Sequence, residues 1–256
     1  MVKNIEAILG YDIATMSKDA CVAKICSWIE SGEMEMMRYV VCANPHSLEV
    51  ARMDVLFDLA MKGADMIIPD GAGVVAASRL LGGSIRQRVT GYDIFLGVNK
   101  GLDSMGGQRV FFLGSTEANL NDIRKRMMSD FPNVAVAGFY SPPFSAEFEK
   151  EENDAMVGAV NAVRPDVLWV GLSAPKQEKW IHANRDRLDV KFAGAIGAVF
   201  DFYTGRIKRS HPFFQRIGLE WLPRFIREPR RLWRRNLVSS PKFLLRIIRE
   251  RHNLKA

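Results

Sequence analysis

Short apolar runs alternate with longer segments of helical period through the first 204 residues. Seven of these runs predict strands: IEAIL, YVVCA, ADMIIP, RVFFLG, VAVAGFY, DVLWVG and KFAGAIG. The segments between them predict helices after Ser17, from about His46 to Met61, after Gly73, over roughly 116–130 and 146–163, and from about Pro175. Repeated alternation of strand and helix predicts an α/β fold, with a mostly parallel sheet and helices on both faces in a Rossmann-like arrangement.

Polar residues and glycines collect where the predicted strands end. They are Asn44, Asp70 with Gly71, Gly114 with Ser115, Tyr140, and Gly171 followed by Gln177. Since parallel sheets bind ligands beyond the carboxyl ends of their strands, we expect one binding crevice along this edge.

From Gly205 onward the pattern changes to helices alone, divided by prolines, and the charge changes with it. Residues 205–256 carry 15 Lys and Arg against 3 Asp and Glu, a net charge of +12, whereas the rest of the chain has a net charge of −5. Six aromatic residues belong to the same segment: Phe213, Phe214, Trp221, Phe225, Trp233 and Phe243. We therefore predict an α/β domain over 1–204 and a basic amphipathic helical appendage over 205–256, whose partner is anionic with an apolar part.

The composition excludes several classes of protein. With 48% hydrophobic residues among 256, the chain can bury a sizeable core, which excludes a disordered chain and a coiled coil. No apolar run approaches the roughly 18–20 residues of a spanning helix, and MVKNIEAILGYD has no signal-peptide pattern, so we expect a soluble, uncleaved chain. Cys21, Cys26 and Cys42 and four scattered histidines lack metal-ligand spacing, which predicts no metal site and a reducing compartment.

The segment PDGAGVVAAS contains Gly71-x-Gly73-x-x-Ala76, a form of the dinucleotide-binding fingerprint. Its acidic partner would be Asp93, but RVTGYDIF places Asp93 at the start of a predicted helix rather than at the end of a strand. We therefore expect no nicotinamide or flavin cofactor, although a dinucleotide-dependent oxidoreductase stays open as an alternative. Asp70 would repel a phosphate on this loop, and we interpret it either as a helix N-cap or as a catalytic base.

Other segments have both a functional and a structural interpretation. Gly114-Ser115-Thr116 either offers backbone donors to an anion or forms an ordinary turn. Tyr140, ahead of two prolines, either presents its ring to a flat base or packs under the loop. Lys176 and Gln177 follow Pro175 in a predicted first helical turn, from which both could reach a diphosphate.

No Asp-x-Asp sequence occurs in the chain, so the carboxylates that usually ligate the metal ion of a nucleotide diphosphate are absent. Basic side chains would have to stabilise the negative charge of a leaving diphosphate instead. Four arginines share one helix face if Pro229 does not redirect the helix, and this face is either the supply of charge or a solvated basic surface: Arg224, Arg227, Arg231 and Arg234.

Seven segments, in order between Tyr39 and Arg235, together resemble the WecG/TagA/CpsF family of bacterial glycosyltransferases, glycosyltransferase family 26. They are NPHSLEVARMD, ADMIIPDGAGVV, RVTGYDIF, VFFLGS, GLSAPKQEKW, the FD of GAVFDFYTGRIKRSHP, and GLEWLPRFIREPRRLWRR. The resemblance implies a metal-independent, inverting transfer of a hexose or N-acetylhexosamine-type sugar from a UDP-sugar to a polyprenyl-diphosphate-linked sugar. It implies surface-polysaccharide or cell-wall polymer synthesis, without a cofactor, by a cytoplasmic protein that is peripheral on the inner face of the bacterial plasma membrane.

The resemblance also implies residue roles, motif by motif. Asp70 of the PDGxG motif would be the general base. Further motifs give substrate contacts at Asn44, Arg88, Thr90, Gln177 and Asp201, and the strand-end residues Gly114, Tyr140 and Gly171 complete the predicted set. We expect Asn44, Tyr140 and Asp201 near the nucleoside, and Gln177 nearer the diphosphate and the transferred sugar. The appendage arginines would fold over the site and stabilise the departing UDP: Arg224, Arg231 and Arg234.

Two segments depart from the family's common pattern. Cys42 stands where many members have threonine, which is a better hydrogen-bond donor. The segment GFYSPPF resembles the exopolysaccharide branch more than the teichoic-acid branch, which favours a glucose-like donor over an N-acetylmannosamine-like one.

Residues 240–249, SPKFLLRIIR, alternate apolar and basic groups at about helical spacing, as an interfacial helix does. We therefore expect contact with an anionic membrane surface.

A basic, aromatic segment is also typical of nucleic-acid-binding proteins, but that alternative leaves Asp70 and the strand-end residues unexplained, so we expect no nucleic-acid partner. A homo-oligomer stays open.

Overall fold

The structure is a computed structural model that describes residues 4–31, 36–145, 147–208, 211 and 221–253, with the backbone alone at Arg224, Arg227 and Arg231. Within these residues eight strands form one sheet in the order β1-β2-β4-β3-β8-β7-β5-β6. Their bounds are β1 Ile5–Ile8, β2 Tyr11–Ala14, β3 Arg38–Ala43, β4 Met66–Pro69, β5 Arg109–Gly114, β6 Ala135–Tyr140, β7 Val167–Gly171 and β8 Phe192–Ala195. Only β1 and β2 pair antiparallel, which confirms the predicted mostly parallel sheet.

Nine helices precede the appendage in the described part of the chain. They are α1 Lys18–Glu30, α2 Pro45–Ala51, α3 Val55–Lys62, α4 Ala72–Leu81, α5 Gly91–Met105, α6 Glu117–Asp130, α7 Lys150–Asn161, α8 Lys176–Ala183 and α9 Val199–Tyr203. The described part of the appendage contains α10 Trp221–Arg227, α11 Pro229–Trp233, a π-helical segment Arg234–Ser239, and α12 Ser240–Asn253.

The helices cover both faces of the sheet, as predicted. One layer consists of α2, α3, α4, α7 and α8, and the opposite layer consists of α1, α5, α6 and α9. Because both faces are covered, the central strands are apolar without interruption, as in VFFL of β5 and VLWV of β7. The last helix, α12, joins the first layer: it contacts α4 and α2 and buries Phe243 and Ile247 there.

Three element boundaries differ from the prediction. The first apolar run is followed by a second strand, because Leu9 and Gly10 adopt positive φ values of 52° and 83° and turn the chain into a hairpin. The helix predicted from His46 to Met61 is two helices, since Asp54 accepts a hydrogen bond from Phe57 N at 3.0 Å and caps a new one. The helix predicted over 146–163 begins at Lys150.

Candidate active site

Asp70 lies immediately beyond β4, next to the end of β3. Its backbone N–H donates to Ala43 O at 2.8 Å, so the pairing of the two strands continues for one residue past β4. This brings Asp70 beside Asn44, whose side chain accepts hydrogen bonds from two backbone N–H groups and caps α2. The catalytic candidate and the first predicted substrate contact therefore share one end of the crevice.

The other strand-end residues follow along the same edge in the order of the strands. From Asn44 the edge passes Gly197 beyond β8, then Gly171, Gly114 and Tyr140 at the ends of β7, β5 and β6. Tyr140 lies five strand positions from Asp70, roughly 24 Å at about 4.8 Å per strand. An extended ligand fits this edge, but one nucleoside cannot contact both Asn44 and Tyr140, so Asn44 groups with Asp70 instead.

The glycines that follow Asp70 serve close packing of two helices. Gly71 occupies the N-cap position of α4 with φ +144° and gives no side-chain cap. A Cβ on Gly73 would lie 2.4 Å from Pro45 Cγ, so only glycine lets α4 approach the first turn of α2. The dinucleotide-like spacing has this steric explanation, and the N-cap interpretation of Asp70 is wrong because Gly71 holds that position.

Cys42 lies between Asp70 and the first turn of α5. Its thiol donates a hydrogen bond to Ala195 O at 3.8 Å, and its Sγ lies 3.4 Å from where a Cβ on Gly91 would be. Burial raises the pKa of Cys42 well above its usual value, and the charges of Asp70 and Glu178 raise this pKa further. The thiol is therefore neutral at pH 7 and keeps the hydrogen that it donates to Ala195 O.

The RVTG motif reaches the same end of the crevice through the backbone. Val89 N donates to Pro69 O at 2.9 Å, which places Arg88 and Thr90 on either side of the end of β4. Thr90 caps α5: its Oγ1 donates to Asp93 Oδ2 at 2.7 Å and accepts from Asp93 N at 3.1 Å. This reciprocal cap accounts for Asp93, whose spacing from the glycines resembled a ribose-binding acid.

Gln177 and Glu178 are buried in the first turn of α8, with only 3% and 2% of their surfaces exposed. Gln177 Nε2 donates to Glu178 Oε1 at 2.9 Å, and Gly197 N donates to Gln177 Oε1 at 2.9 Å. Burial raises the pKa of Glu178 to about 7. Sequence reasoning assigned no role to Glu178, because an acid in a polar first turn resembles a solvated helix charge.

Asp201 lies on α9, over the ends of β5 and β7. Asn119 Nδ2 donates to Asp201 Oδ1 at 3.0 Å, and Thr204 Oγ1 donates to Asn119 Oδ1 at 2.7 Å. Asn119 is only 1% exposed, and sequence reasoning missed it because nothing in the α6 sequence indicates that it faces α9. Since this group lies toward Tyr140, it belongs to the end of the crevice away from Asp70.

Gly114 and Gly171 allow β5, β7 and α9 to pack closely against one another. A Cβ on Gly114 would lie 2.7 Å from the Gly171 carbonyl group, and a Cβ on Gly171 would lie 2.3 Å from the Phe200 ring. This close packing explains why both positions are glycine, and their contact with substrate stays a prediction.

The appendage packs against α2. His46 Nδ1 lies 2.9 Å from Ser239 Oγ, and Arg246 Nε forms an ion pair with Glu49 Oε1 at 2.9 Å. Arg234 is exposed, with its guanidinium 5.5 Å from the centre of the Trp233 ring. The side chains of the other two predicted lid arginines, at positions 224 and 231, lie outside the described residues, so the lid stays a prediction.

Among the described residues, no cluster of three or more His, Cys, Asp or Glu side chains could hold a metal ion. No helix in the same part of the chain is long and apolar enough to cross a membrane.

Comparison with known proteins identifies relatives over almost the whole chain. The model of the "Glycosyl transferase WecG/TagA/CpsF family" matches residues 6–256. A protein of Bacillus spizizenii named N-acetylglucosaminyldiphosphoundecaprenol N-acetyl-beta-D-mannosaminyltransferase is 33% identical over 211 residues, 82% of this chain and 79% of that protein. Proteins of the same name from Bacillus subtilis and Staphylococcus aureus are 29% and 25% identical, covering 83% and 97% of this chain and 79% and 94% of their own.

The names of these relatives bear on the predicted donor. All three describe N-acetylmannosaminyl transfer to a lipid-diphosphate-linked N-acetylglucosamine. They give no support to the exopolysaccharide branch or to the glucose-like donor that the GFYSPPF segment favoured.

Proposed function

Because this chain belongs to the WecG/TagA/CpsF family of glycosyltransferases, we propose that it transfers a sugar from a UDP-sugar to a polyprenyl-diphosphate-linked sugar, with inversion and without a metal ion. The observation that carries this proposal is the row of side chains along one sheet edge. Asp70 lies at one end beside Asn44, and Asp201 lies toward the other end with Tyr140. An extended nucleotide-sugar in this row would present its anomeric carbon near Asp70.

The reaction is a single displacement in which Asp70 is the general base. Asp70 takes the proton of the acceptor hydroxyl while that oxygen attacks the anomeric carbon, and the bond from this carbon to the UDP oxygen breaks. UDP leaves with the bonding electron pair, and the configuration at the anomeric carbon inverts. The Cys42 thiol lies near Asp70, whose charge helps to raise the pKa of the thiol and keeps it neutral beside the base.

The developing charge on UDP is met by cationic groups rather than by a metal ion. The candidates are Arg88, close to the end of β4, and the appendage arginines Arg224, Arg231 and Arg234. Arginine suits this role because its planar group keeps its charge and binds two phosphate oxygens at once.

N-acetylmannosamine is the first candidate for the transferred sugar, and undecaprenyl-diphosphate-linked N-acetylglucosamine is the first candidate acceptor. Both come from the names of the relatives, one of which is 33% identical over 82% of this chain. A glucose-like donor is the second candidate, because GFYSPPF borders the crevice just beyond β6. The product would enter a cell-wall or surface polymer.

Helix α12 would hold the protein on the cytoplasmic face of the plasma membrane. It buries Phe243 and Ile247 against the body and exposes a second stripe of Leu244, Leu245 and Ile248. Lys242 and Arg249 lie together along one side of this stripe on the helical wheel, an arrangement that favours an anionic lipid surface.

The membrane contact is tested by changing the exposed stripe to serine at all three positions. Co-sedimentation with vesicles containing phosphatidylglycerol should fall sharply, since the apolar contact is lost while Phe243 and Ile247 still dock the helix. The control changes Met105 and Met128 to serine, two exposed residues on the opposite layer. Equal binding by all three proteins would exclude α12 as the membrane contact.

The proposed activity is tested first by thermal unfolding with UDP, NAD, FAD or a short oligonucleotide, each without added metal. A ligand at about 100 times its dissociation constant should add about 2.7 kcal/mol to the free energy of unfolding. We expect this only with UDP, followed by transfer from a panel of UDP-sugars to the lipid-linked acceptor. Stabilisation by NAD or FAD would favour an oxidoreductase, and stabilisation by the oligonucleotide would favour a nucleic-acid-binding protein.

A further inference from the structure

Glu178 is a buried acid that the proposed displacement does not use. Its Oε1 accepts from Gln177, whereas its Oε2 is buried and has no hydrogen-bond partner among the described residues. Burying a carboxyl group with an unpaired oxygen destabilises a folded protein, and an apolar side chain would fill the same space without this cost. The acid therefore needs an explanation other than packing.

The hydrogen bonds of Glu178 determine how the Gln177 amide is oriented. The Gly197 backbone N–H can only donate a hydrogen bond, and Glu178 Oε1 accepts the one that Gln177 Nε2 donates. The amide nitrogen of Gln177 must therefore face Glu178, and its oxygen must face Gly197. Oε1 accepts in both the neutral and the ionised carboxyl group, so the orientation holds in either state.

Gly197 belongs to the loop that joins β8 to α9, the helix that carries Asp201. Gly197 has φ +56°, and α9 begins two residues later at Val199. One side of this loop is fixed by β8, where Ile196 N donates to Val170 O at 3.1 Å. On the other side, the bond to Gln177 Oε1 holds the loop against α8.

We propose that Glu178 is a positioning residue for sugar transfer: it holds the Gln177 amide, and Gln177 holds Gly197 and the start of the helix that carries Asp201. This inference rests on the proposed function and adds a group that acts without touching the substrate. Through Gln177 this carboxyl group is joined to Gly197 beyond β8, the strand between β3, which ends next to Asn44, and β7, which ends at Gly171.

The test compares Glu178→Ala with Glu178→Gln. The alanine variant removes the acceptor, the Gln177 amide rotates, and the KM for the UDP-sugar should rise about tenfold with a smaller change in kcat. The glutamine variant keeps a carbonyl oxygen for Gln177 Nε2 and should restore KM to within about threefold. The control is Asn184→Ala, which removes a buried polar side chain from the end of the same helix and should lower stability without changing KM.

A double-mutant cycle shows whether Glu178 acts through Gln177. If it does, Glu178→Ala should add little to the change in KM caused by Gln177→Ala. Full additivity of the two changes, or a normal KM in Glu178→Ala, would overturn the inference.

Hydrogen exchange of the Gly197 amide tests the same chain of contacts without measuring transfer. Exchange should be faster in Gln177→Ala and Glu178→Ala than in wild type, and unchanged in Asn184→Ala. Normal exchange in Glu178→Ala overturns the positioning role alone. Absence of sugar transfer by the wild-type protein overturns the proposed function, and with it the catalytic part of this inference.

Discussion

His46 Nδ1 lies 2.9 Å from Ser239 Oγ, and this contact joins the appendage to the helix that borders the catalytic end of the crevice. His46 is two residues from Asn44, which caps the same helix beside Asp70. Ser239 is buried in the π-helical segment just before α12. Any movement of the appendage on the body therefore changes the surroundings of the first turn of α2.

Docking of the appendage should weaken as the pH falls. Burial lowers the pKa of His46 below its usual value of 6.5, and the charge of Arg235 lowers it further. The folded protein therefore holds His46 neutral while the unfolded or undocked segment takes up a proton, so stability is lost as the pH falls below about 6.5. After correction for the intrinsic pH dependence of amide exchange, the protection factors of residues 240–253 should fall from about pH 8 to about pH 5.5. His46→Gln should reduce this pH dependence, and an identical dependence in both proteins would contradict the assignment.

Gly73→Ala should destabilise the protein, because the new Cβ would lie 2.4 Å from Pro45 Cγ and push α4 away from α2. We expect a loss of about 1–3 kcal/mol in the free energy of unfolding, measured by urea denaturation. Gly158→Ala is the matched control, since a Cβ there meets nothing within 4 Å on α7. That change should stabilise the protein by up to about 1 kcal/mol, because alanine is the better helix former. Equal effects of the two substitutions would exclude the steric explanation.

The sequence predicts the sheet well because its central strands are buried on both faces. VFFL and VLWV are continuous apolar runs for this reason, and the structure places them in β5 and β7. The strand Tyr11–Ala14 was missed because it is short and follows a turn that only the positive φ values at Leu9 and Gly10 reveal. The split between α2 and α3 was missed because Asp54 caps a helix inside a continuous periodic pattern.

The position of residues at the strand ends is predictable from sequence, as at Asp70 and Gly114, while their roles in the site stay predictions. Glu178 and Asn119 are not predictable in this way, because a polar residue in a helix carries no sign of which neighbour it will face. Their burial depends on α8 meeting the Gly197 loop and α6 meeting α9, which only the tertiary fold determines.

Asp70→Asn should nearly abolish transfer while leaving the fold intact. The amide cannot take the proton of the acceptor hydroxyl, and loss of a general base lowers kcat by about 10²- to 10⁴-fold. The control is Asp54→Asn, which keeps the cap of α3 but loses the ion pair with Lys179 at 2.9 Å. Its cost should stay below about 1 kcal/mol, with transfer unchanged. A substantial residual rate in Asp70→Asn would exclude Asp70 as the base.

Asn119→Ala should weaken the binding of UDP, because the Asp201 carboxylate loses the amide that holds it at 3.0 Å. We expect roughly a tenfold rise in the dissociation constant, measured by calorimetry, together with a loss of stability from the broken buried contacts. The matched control is Asn99→Ala, since Asn99 is equally buried but bonds to Phe95 and Trp169 away from the strand ends. Asn99→Ala should lose stability and keep its affinity for UDP. Equal affinities in both variants would exclude a role for Asn119 at the nucleotide end.

Glu178 should make the protein less stable as the pH rises toward neutrality. Burial raises its pKa from the usual 4.5 to about 7, so between these values the folded protein keeps a proton that the unfolded chain releases. Because the folded state binds more protons, the free energy of unfolding falls over this range, by roughly 3 kcal/mol for the difference between the two pKa values. Glu178→Gln is neutral at every pH and should escape this loss. We therefore expect urea denaturation to show that the free energy of unfolding of Glu178→Gln increases relative to that of the wild type between about pH 5 and about pH 8. An equal change in both proteins would mean that the Glu178 carboxyl group has the same pKa in the folded and unfolded states.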